Sequence, residues 1–525
     1  MKHPLLTFAI LLLVLPRATN AAAAAESASP PNIVYILADD LGYGDVGCYG
    51  ATKIKTPNMD RLAREGRVFT DAHACSAVCS PSRYGLLTGE YPFRIGCYGP
   101  LMWRGGLIVD PARLTIASLL KQHGYATACI GKWHLGFGVQ QPDWNGELKP
   151  GPLEVGFDDY FGLPVVSSHP PFVYVENHRV VGLDPNDPLR FDGQGRAETD
   201  PYPEKHSRDI HGGRAAHALY HDEEAAATWA KKSVDWLRQS KDRPFFLYLA
   251  TTAIHHPFTP AARFQGTSEA GPYGDYVHEL DWTIGEVLNS LDELQLRDNT
   301  LVIVTSDNGG MLNGGGRAAW QAGHRLNGDL LGFKFGAWEG GHRVPFIARW
   351  PGHIPPGSKS SQLICNVDLL ATFAAIVNHT LQPGDGPDSV NVLPAFIGDP
   401  PRPLRTQVIL TPNRPTHLAI REGDWVYLGA QGSGGFGNGL AELAVTGEIN
   451  SDITTDGKLK PDAPPAQLYN LAADPRQQMN VIRAHPDIAE RLRQQLAACG
   501  AKIPPAKEAA PAKKTARKAA RKATL

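Results

Sequence analysis

The chain has 525 residues, of which 42% are hydrophobic and 20% are charged. These proportions are close to those of folded globular proteins, so they exclude a disordered or fibrous chain. The length predicts a catalytic domain of about 300–400 residues with a smaller unit attached. The formal net charge of −2 gives no reason to expect that the body of the protein binds nucleic acid.

The N-terminus has the three-part pattern of a secretory signal peptide. Lys2 and His3 precede an apolar run over residues 5–15, and Pro16 and an alanine cluster follow it. We therefore predict a signal peptide over residues 1–25 and a secreted or periplasmic protein. The run is shorter than the about 20 apolar residues that span a bilayer, and no other stretch is long enough, so no transmembrane segment is expected.

The C-terminus is cationic and rich in alanine and proline. From Ala506 onward it has seven lysines and arginines against one acid, Glu508. Residues 501–525 are predicted to be a basic disordered tail, because they have too little apolar surface to fold. The alternative is electrostatic attachment to an anionic polysaccharide or cell surface.

Three continuous apolar runs predict buried strands, at residues 33–38, 244–250 and 300–305. Apolar residues at helical spacing between them predict helices over residues 223–239 and 276–294. Strands that alternate with helices indicate an α/β sheet covered on both faces.

Polar residues follow these runs at the place where an open sheet collects its functional groups, beyond the carboxyl ends of the strands. These residues are Asp39, Asp40, His255, Asp307 and Asn308. We expect them to lie close together.

Past Pro403 the pattern changes to short segments. Those at 407–410, 417–421, 425–428 and 467–470 predict a small antiparallel sheet, and residues 487–496 predict a helix. The predicted organisation is thus a catalytic domain over residues 30–400 and a small C-terminal domain over residues 404–500.

The stretch from Cys79 to Gly89, CSPSRYGLLTG, is the most informative. Proline is tolerated in the first turn of a helix, so Pro81 indicates a helix that begins at Cys79. Backbone N–H groups there attract anions, and we expect this field to activate the cysteine. Arg83, four residues on, would lie on the same face of the helix and supply a fixed positive charge. Among the seven cysteines, which show neither the density of a disulfide scaffold nor a C-x-x-C pair, only Cys79 has a context that suggests chemistry.

This stretch resembles the signature of the sulfatase family, C-x-P-x-R followed by T-G. Further motifs that resemble the family are NIVYILADDLG at 32–42, GKWHLG at 131–136, SDNGG at 306–310, WEGGHRVP at 338–345, and LYNL at 468–471 with Asp474, Pro475 and Asn480. The resemblance covers roughly residues 30–490 and is specific because several motifs occur in order. It implies an alkaline-phosphatase-like α/β fold, with a large mixed sheet between helices and a small antiparallel C-terminal α+β domain.

The resemblance also implies two cofactors. Cys79 would be converted to formylglycine by a formylglycine-generating enzyme, and one hydroxyl of the hydrated aldehyde would attack sulfur while the other later expels sulfate. One metal ion would be bound by an oxygen of the modified Cys79 and by four further side chains, namely Asp39, Asp40, Asp307 and Asn308. A shell of oxygen ligands with several carboxylates favours calcium over magnesium and makes zinc unlikely.

The remaining roles are carried over by motif. Arg83 would hold the modified residue, Lys132 would bind sulfate, and His134 would take a proton from the diol. His255, at the H-x-P position, and Lys334 would contact the substrate, and one of them would protonate the leaving oxygen. His256 is the alternative to His255, because a shift of the alignment by one residue would exchange their roles.

The resemblance therefore implies a sulfuric ester hydrolase that removes sulfate from a sulfated carbohydrate. Two alternatives are a phosphatase or phosphonate monoester hydrolase of the same fold, and a catalytically silent protein that binds sulfated glycans. Five residues are candidates for lining the sugar subsites, and a structural role is the equal alternative for each of them. They are Trp103, Arg104, His169, His324 and Arg325. The sugar, the linkage and the oligomeric state are left open.

Overall fold

The computed structural model describes residues 30–191 and 211–500. The predicted signal peptide at 1–25 and basic tail at 501–525 lie outside these residues. The strands are β1 Asn32–Ala38, β2 Arg67–Phe69, β3 Ala72–His73, β4 Ala126–Lys132, β5 Asp159–Leu163, β6 Val175–Glu176, β7 Arg179–Val180, β8 Phe245–Ala250, β9 Thr300–Ser306, β10 Phe346–Arg349, β11 Ser358–Ser360, β12 Ile364–Cys365, β13 Gln407–Leu410, β14 Ala419–Glu422, β15 Trp425–Leu428 and β16 Gln467–Asn470. The α-helices are α1 Pro57–Glu65, α2 Cys79–Thr88, α3 Ile116–Gln122, α4 Arg214–His217, α5 Asp222–Ser240, α6 Gly271–Glu293, α7 Gly314–Gln321, α8 Leu369–Ile376, α9 Leu393–Ile397, α10 Leu440–Thr446 and α11 Pro486–Ala498.

Ten strands form one mixed sheet in the order β11-β2-β10-β9-β1-β8-β4-β5-β6-β7. The centre is parallel, since β1 pairs in parallel with β8 and β9, and β4 pairs in parallel with β8 and β5. Antiparallel pairs occur toward both ends, where β10 joins β9 to β2 and where β6 joins β5 to β7. The large mixed sheet predicted above is confirmed.

Both faces of this sheet are covered, as the continuous apolar strands predict. Alternate residues of β1 enter two separate cores, with Ile33, Tyr35 and Leu37 in one and Val34 and Ile36 in the other. Residues of α2, α3 and α8 pack in the first core, and residues of α1, α5 and α6 pack in the second. The central strands are therefore held rigidly from both sides.

Four strands near the C-terminus form a separate antiparallel sheet in the order β13-β14-β15-β16, and α11 packs on it. Its core also includes Cys75, Trp338 and Cys365 from earlier in the chain. The sheet and the helix predicted for this region are confirmed. Among the described residues, no helix has the length and apolar composition needed to cross a membrane.

Candidate active site

The candidate site lies at the carboxyl ends of four adjacent central strands, β9, β1, β8 and β4. Asp307 follows β9, Asp39 follows β1, and Lys132 is the last residue of β4. Because β1 and β9 are parallel and Ala38 is paired with Ser306, the acidic residues that follow them are neighbours. All ten residues predicted for catalysis and metal binding are at most 6% exposed.

Three carboxylates meet in this site. Asp39, Asp40 and Asp307 each place one carboxylate oxygen within 4.8 Å of the others. Asp40 has a positive φ of 67°, a conformation that aspartate tolerates better than most residues, and its N–H donates to Oδ1 of Asp307 over 3.3 Å. Asn308 donates from Nδ2 to Oδ1 of Asp40 over 2.8 Å. The four predicted metal ligands outside Cys79 are thus brought together.

Three cations, Arg83, Lys132 and Lys334, surround the carboxylates. Nζ of Lys132 lies 2.7 Å from Oδ2 of Asp39, and Nζ of Lys334 lies 2.6 Å from Oδ1 of Asp40. Burial alone would lower the pKa of Lys334, but Asp40 and the other acidic groups raise it above its usual value. Burial also raises the pKa of Asp307, and the neighbouring Asp39 adds to this effect.

Arg83 ties the helix that carries Cys79 to the metal-ligand cluster. It donates from Nε and Nη2 to Oδ2 of Asp307 over 3.0 and 2.8 Å, and from Nη1 to the carbonyl of Lys132 over 2.9 Å. Gly131, the residue before Lys132, has a φ of +104°, which favours glycine. A Cβ at Gly131 would lie 1.9 Å from the carbonyl oxygen of Ala250, so only glycine fits.

Cys79 is the first residue of α2, as predicted, and it is buried. The protein groups around it do not favour the predicted activation of its thiol. Burial raises the pKa of the Cys79 thiol, and the nearby charges of Lys132 and Lys334 do not offset this effect. For this buried thiol, the desolvation of the thiolate outweighs the field of the helix start.

His134 is held in one tautomer by an interaction that the sequence does not reveal. Its Nε2 lies 2.7 Å from the carbonyl oxygen of Leu101, so Nε2 carries the proton and Nδ1 has a free lone pair. Nδ1 is buried and has no hydrogen-bond partner among the described residues. Burial and the charges of Lys132 and Arg83 lower the pKa of His134, which keeps the ring neutral.

His255 and His256 stack with their ring centroids 4.4 Å apart. Nδ1 of His255 lies 2.7 Å from the carbonyl oxygen of His256, and Nε2 lies 3.9 Å from Oδ2 of Asp40. The backbone of His256 therefore orients His255, and Nε2 of His255 is the ring nitrogen on the side of the carboxylates. Burial, followed by Lys334 and Lys132, lowers the pKa of His255.

The five candidate subsite residues do not share one environment. His324 is buried, and its Nε2 lies 2.7 Å from Oδ1 of Asp45. These contacts indicate a structural role for His324. Arg104 lies over the ring of Trp103, and Arg325 lies over Trp320. His169 is close enough to the two site lysines for their charges to add to burial in lowering its pKa.

Sequence reasoning did not assign the apolar neighbours of Cys79. Val78 and Phe335 form a small buried cluster with Cys79, and Met311 packs against it. Phe335 also lies 4.2 Å, between ring centroids, from the exposed Phe436. In the sequence, Val78 and Phe335 are marked only by being next to Cys79 and Lys334. An ordinary core residue could stand at either position, so the sequence does not reveal their place in the site.

Comparisons with known proteins agree with this geometry. The sulfatase family profile matches residues 31–379. An N-acetylgalactosamine-6-O-sulfatase of Bacteroides thetaiotaomicron is 39% identical over 495 residues, which cover 89% of this chain and 92% of the relative. Arylsulfatase A of Homo sapiens is 33% identical over 503 residues, which cover 90% of this chain and 88% of the relative.

A solved structure from a study of glycosaminoglycan metabolism by Bacteroides thetaiotaomicron has a TM-score of 0.78 and 36% identity. The match covers 90% of this chain and 99% of that one. It supports the alkaline-phosphatase-like fold expected from the sequence. The chain belongs to the sulfatase family and is a sulfuric ester hydrolase.

Proposed function

We propose that this enzyme is a calcium-dependent sulfatase that uses formylglycine at Cys79 to remove the 6-sulfate from N-acetylgalactosamine in a sulfated carbohydrate. The observation that carries the chemistry is the position of Cys79 at the start of α2 in a buried site with Lys132, Lys334 and three carboxylates. The proposal for the sugar rests on the name of the bacterial relative at 39% identity.

The residues present fit a calcium ion. Oδ1 of Asp39 and Oδ1 of Asn308 are buried and have no hydrogen-bond partner among the described residues. Such buried oxygens are costly unless a ligand satisfies them. We assign the ion to Asp39, Asp40, Asp307 and Asn308, because calcium prefers oxygen ligands and a shell rich in carboxylates.

Charge balance gives a second argument for the ion. Asp39, Asp40 and Asp307 carry three negative charges, and Arg83, Lys132 and Lys334 carry three positive charges, so these side chains sum to zero. A sulfate ester carries a negative charge, and a neutral buried pocket would not compensate for its desolvation. A bound calcium would add two positive charges to this site and so favour the binding of a sulfate ester.

Formylglycine would supply a hydroxyl nucleophile that the neutral thiol of an unmodified Cys79 does not. Nδ1 of His134 would accept the proton of that hydroxyl, since Nε2 is committed to the Leu101 carbonyl. Lys132 and Lys334 would hold the sulfate oxygens. Nζ of Lys334, or Nε2 of His255 in the imidazolium form, would give a proton to the departing sugar oxygen, since Nδ1 of His255 donates to the His256 carbonyl.

The proposal includes maturation and location. A formylglycine-generating enzyme would modify Cys79 before the chain folds, because the folded thiol is buried. The predicted signal peptide supports export of the chain to the periplasm or the medium.

Two measurements test the proposal. Mass spectrometry of the tryptic peptide from Val68 to Arg83 should show the mass of formylglycine in active preparations, and Cys79→Ala should be inactive. Sulfate release should be fastest from N-acetylgalactosamine 6-sulfate in a panel that includes the 4-sulfate and N-acetylglucosamine 6-sulfate. Faster release from another sugar would refute the sugar assignment alone. Binding without turnover, or turnover of phosphate esters only, would refute the enzymatic proposal.

A further inference from the structure

A second cluster of metal-binding side chains lies outside the site described above. One ligand atom from each of His73, Glu339 and His342 lies within 4.8 Å of the other two. The three residues are at most 1% exposed. His73 and His342 sit on adjacent segments, joined by a hydrogen bond of 2.8 Å from the Ala74 N–H to the carbonyl of His342.

The two imidazoles face each other through the same ring atom. Nδ1 of His73 lies 3.0 Å from Nδ1 of His342. Each Nε2 is turned away toward an oxygen, with 2.9 Å from His73 to Oδ1 of Asp71 and 3.2 Å from His342 to the carbonyl of Ala337. A proton on each Nε2 satisfies both contacts, since Nε2 of His73 and the neighbouring Nη1 of Arg421 then both donate to Oδ1 of Asp71. The two Nδ1 atoms are left with lone pairs that face each other.

This arrangement is the one that histidine ligands of metals adopt. Such a histidine donates its other N–H to a carboxylate or a backbone carbonyl, which fixes the tautomer. Two nitrogens that bind one tetrahedral ion at about 2.0–2.1 Å lie about 3.3 Å apart. The observed 3.0 Å between the Nδ1 atoms is close to that separation.

Glu339 supplies the third ligand. Its Oε2 lies 3.3 Å from Nη1 of Arg343, whereas Oε1 is buried and has no hydrogen-bond partner among the described residues. A buried carboxylate oxygen without a partner is unusual in a folded protein, and a cation would satisfy it.

The neighbouring charges are balanced, so the ligand atoms indicate which ion the cluster would hold. Asp71 is bound by Arg421 through two contacts of 2.7 Å, and Glu339 is paired with Arg343, so the carboxylates and guanidiniums balance. Nη1 of Arg421 also lies 3.1 Å from Nε2 of His73. Calcium prefers oxygen ligands, and only Glu339 of the three cluster residues offers oxygen. Zinc, which binds imidazole strongly, is the ion that two histidines and one carboxylate suit.

We propose that His73, His342 and Glu339 form a second, structural metal site that binds zinc. The site joins the chain six residues before Cys79 to the chain five residues after Lys334. The metal would therefore brace two segments that lead into the active site.

Metal analysis of the untagged, full-length protein tests the proposal. After dialysis against metal-free buffer, we expect about one zinc per chain, measured separately from calcium. His342→Leu should lose the zinc and keep the calcium, while Glu339→Gln should weaken zinc retention. His123→Gln is the matched control, because His123 and His379 form an exposed pair with 3.1 Å between ring nitrogens that would bind zinc only adventitiously.

A second measurement does not depend on the folding of a variant. Wild-type protein stripped with a chelator and reloaded with Co²⁺ should show the visible absorption of cobalt bound by nitrogen ligands, and zinc should abolish it. Protein that binds neither zinc nor Co²⁺ under these conditions would overturn the proposal, and the two rings would then share a hydrogen bond. Zinc that persists in His342→Leu but is lost in His123→Gln would also overturn it.

Discussion

Arg83 directs two of its nitrogens, Nε and Nη2, at the same oxygen of Asp307, over 3.0 and 2.8 Å. Both side chains are fully buried. Removing one partner of a buried ion pair leaves the other charge uncompensated.

We therefore expect Arg83→Ala to lower the free energy of unfolding by about 3–5 kcal/mol, measured by chemical denaturation. Arg83→Lys should be more stable than Arg83→Ala but should lose most activity. A lysine ammonium lacks the planar fork with which arginine contacts both Asp307 and the Lys132 carbonyl. The control is Arg94→Lys, because Arg94 forms a partly exposed ion pair with Asp388. The free energy of unfolding of this variant should change by about 0–1 kcal/mol. Equal losses at both arginines would contradict this account.

Asp307→Asn should abolish calcium binding and activity together. The substitution keeps the shape of the side chain but removes one carboxylate from a site that depends on oxygen charge. Calcium content by elemental analysis and sulfate release are the measurements. Asp45→Asn is the control, since Asp45 is equally buried but is paired with His324. An Asp307→Asn protein with full calcium would show that the ion is bound elsewhere.

His255→Ala should slow desulfation of a sugar more than desulfation of an aryl ester. A general acid contributes about 10²–10⁴-fold, and it matters most when the leaving alcohol is a weak acid. His256→Ala should be milder on both substrates, because the carbonyl that orients His255 remains in the alanine variant. The reverse order would assign the acid to His256. Equal losses on both substrates in His255→Ala would favour Lys334 as the acid.

Glu279 should make the stability of the fold depend on pH. It is buried in α6, and burial raises its pKa from 4.5 to about 7. The pKa of Glu279 is higher in the folded protein than in the unfolded chain. The folded state is therefore more stable when this carboxyl is protonated. That stability is fully present below about pH 4.5 and is lost as pH rises through 7.

Each unit of pKa difference corresponds to about 1.4 kcal/mol. Above pH 7, the free energy of unfolding is therefore lower by up to about 3 kcal/mol. Glu279→Gln should therefore raise the free energy of unfolding at pH 8 and change it little at pH 4. Glu293→Gln, at the exposed end of α6, serves as the control. A stabilisation by Glu279→Gln that is the same at both pH values would contradict the titration of this group.

The predicted strands agree with the structure to within one or two residues because continuous apolar runs are buried on both faces of the sheet. Helix α6 begins at Gly271, five residues before the predicted start at Tyr276. Pro272 in its first turn was the available signal. The sequence does not predict the antiparallel strand β10, because its four residues include only three apolar ones, too short a run to indicate a strand.

The sequence identified the members of the site but not their pairing. Nothing in the spacing joins Lys132 to Asp39 and Lys334 to Asp40, because these partners come from distant parts of the chain. The carbonyl of Leu101 that fixes His134 leaves no trace in a sequence, since every residue has a carbonyl. The sequence predicts an activated thiol at Cys79, whereas burial, which is a property of the whole fold, raises the pKa of that thiol.

The core of the small antiparallel sheet includes Trp338, which comes from the segment that follows Lys334. Trp338 donates from its indole to Oε1 of Gln467, and the backbone N–H of Glu339 donates to Oε1 of Gln477. The segment that matches the family profile ends at residue 379, before either glutamine. A polypeptide cut there would expose the Trp338 side of its core to water and leave Asp71 without Arg421, so we expect it to aggregate when expressed alone.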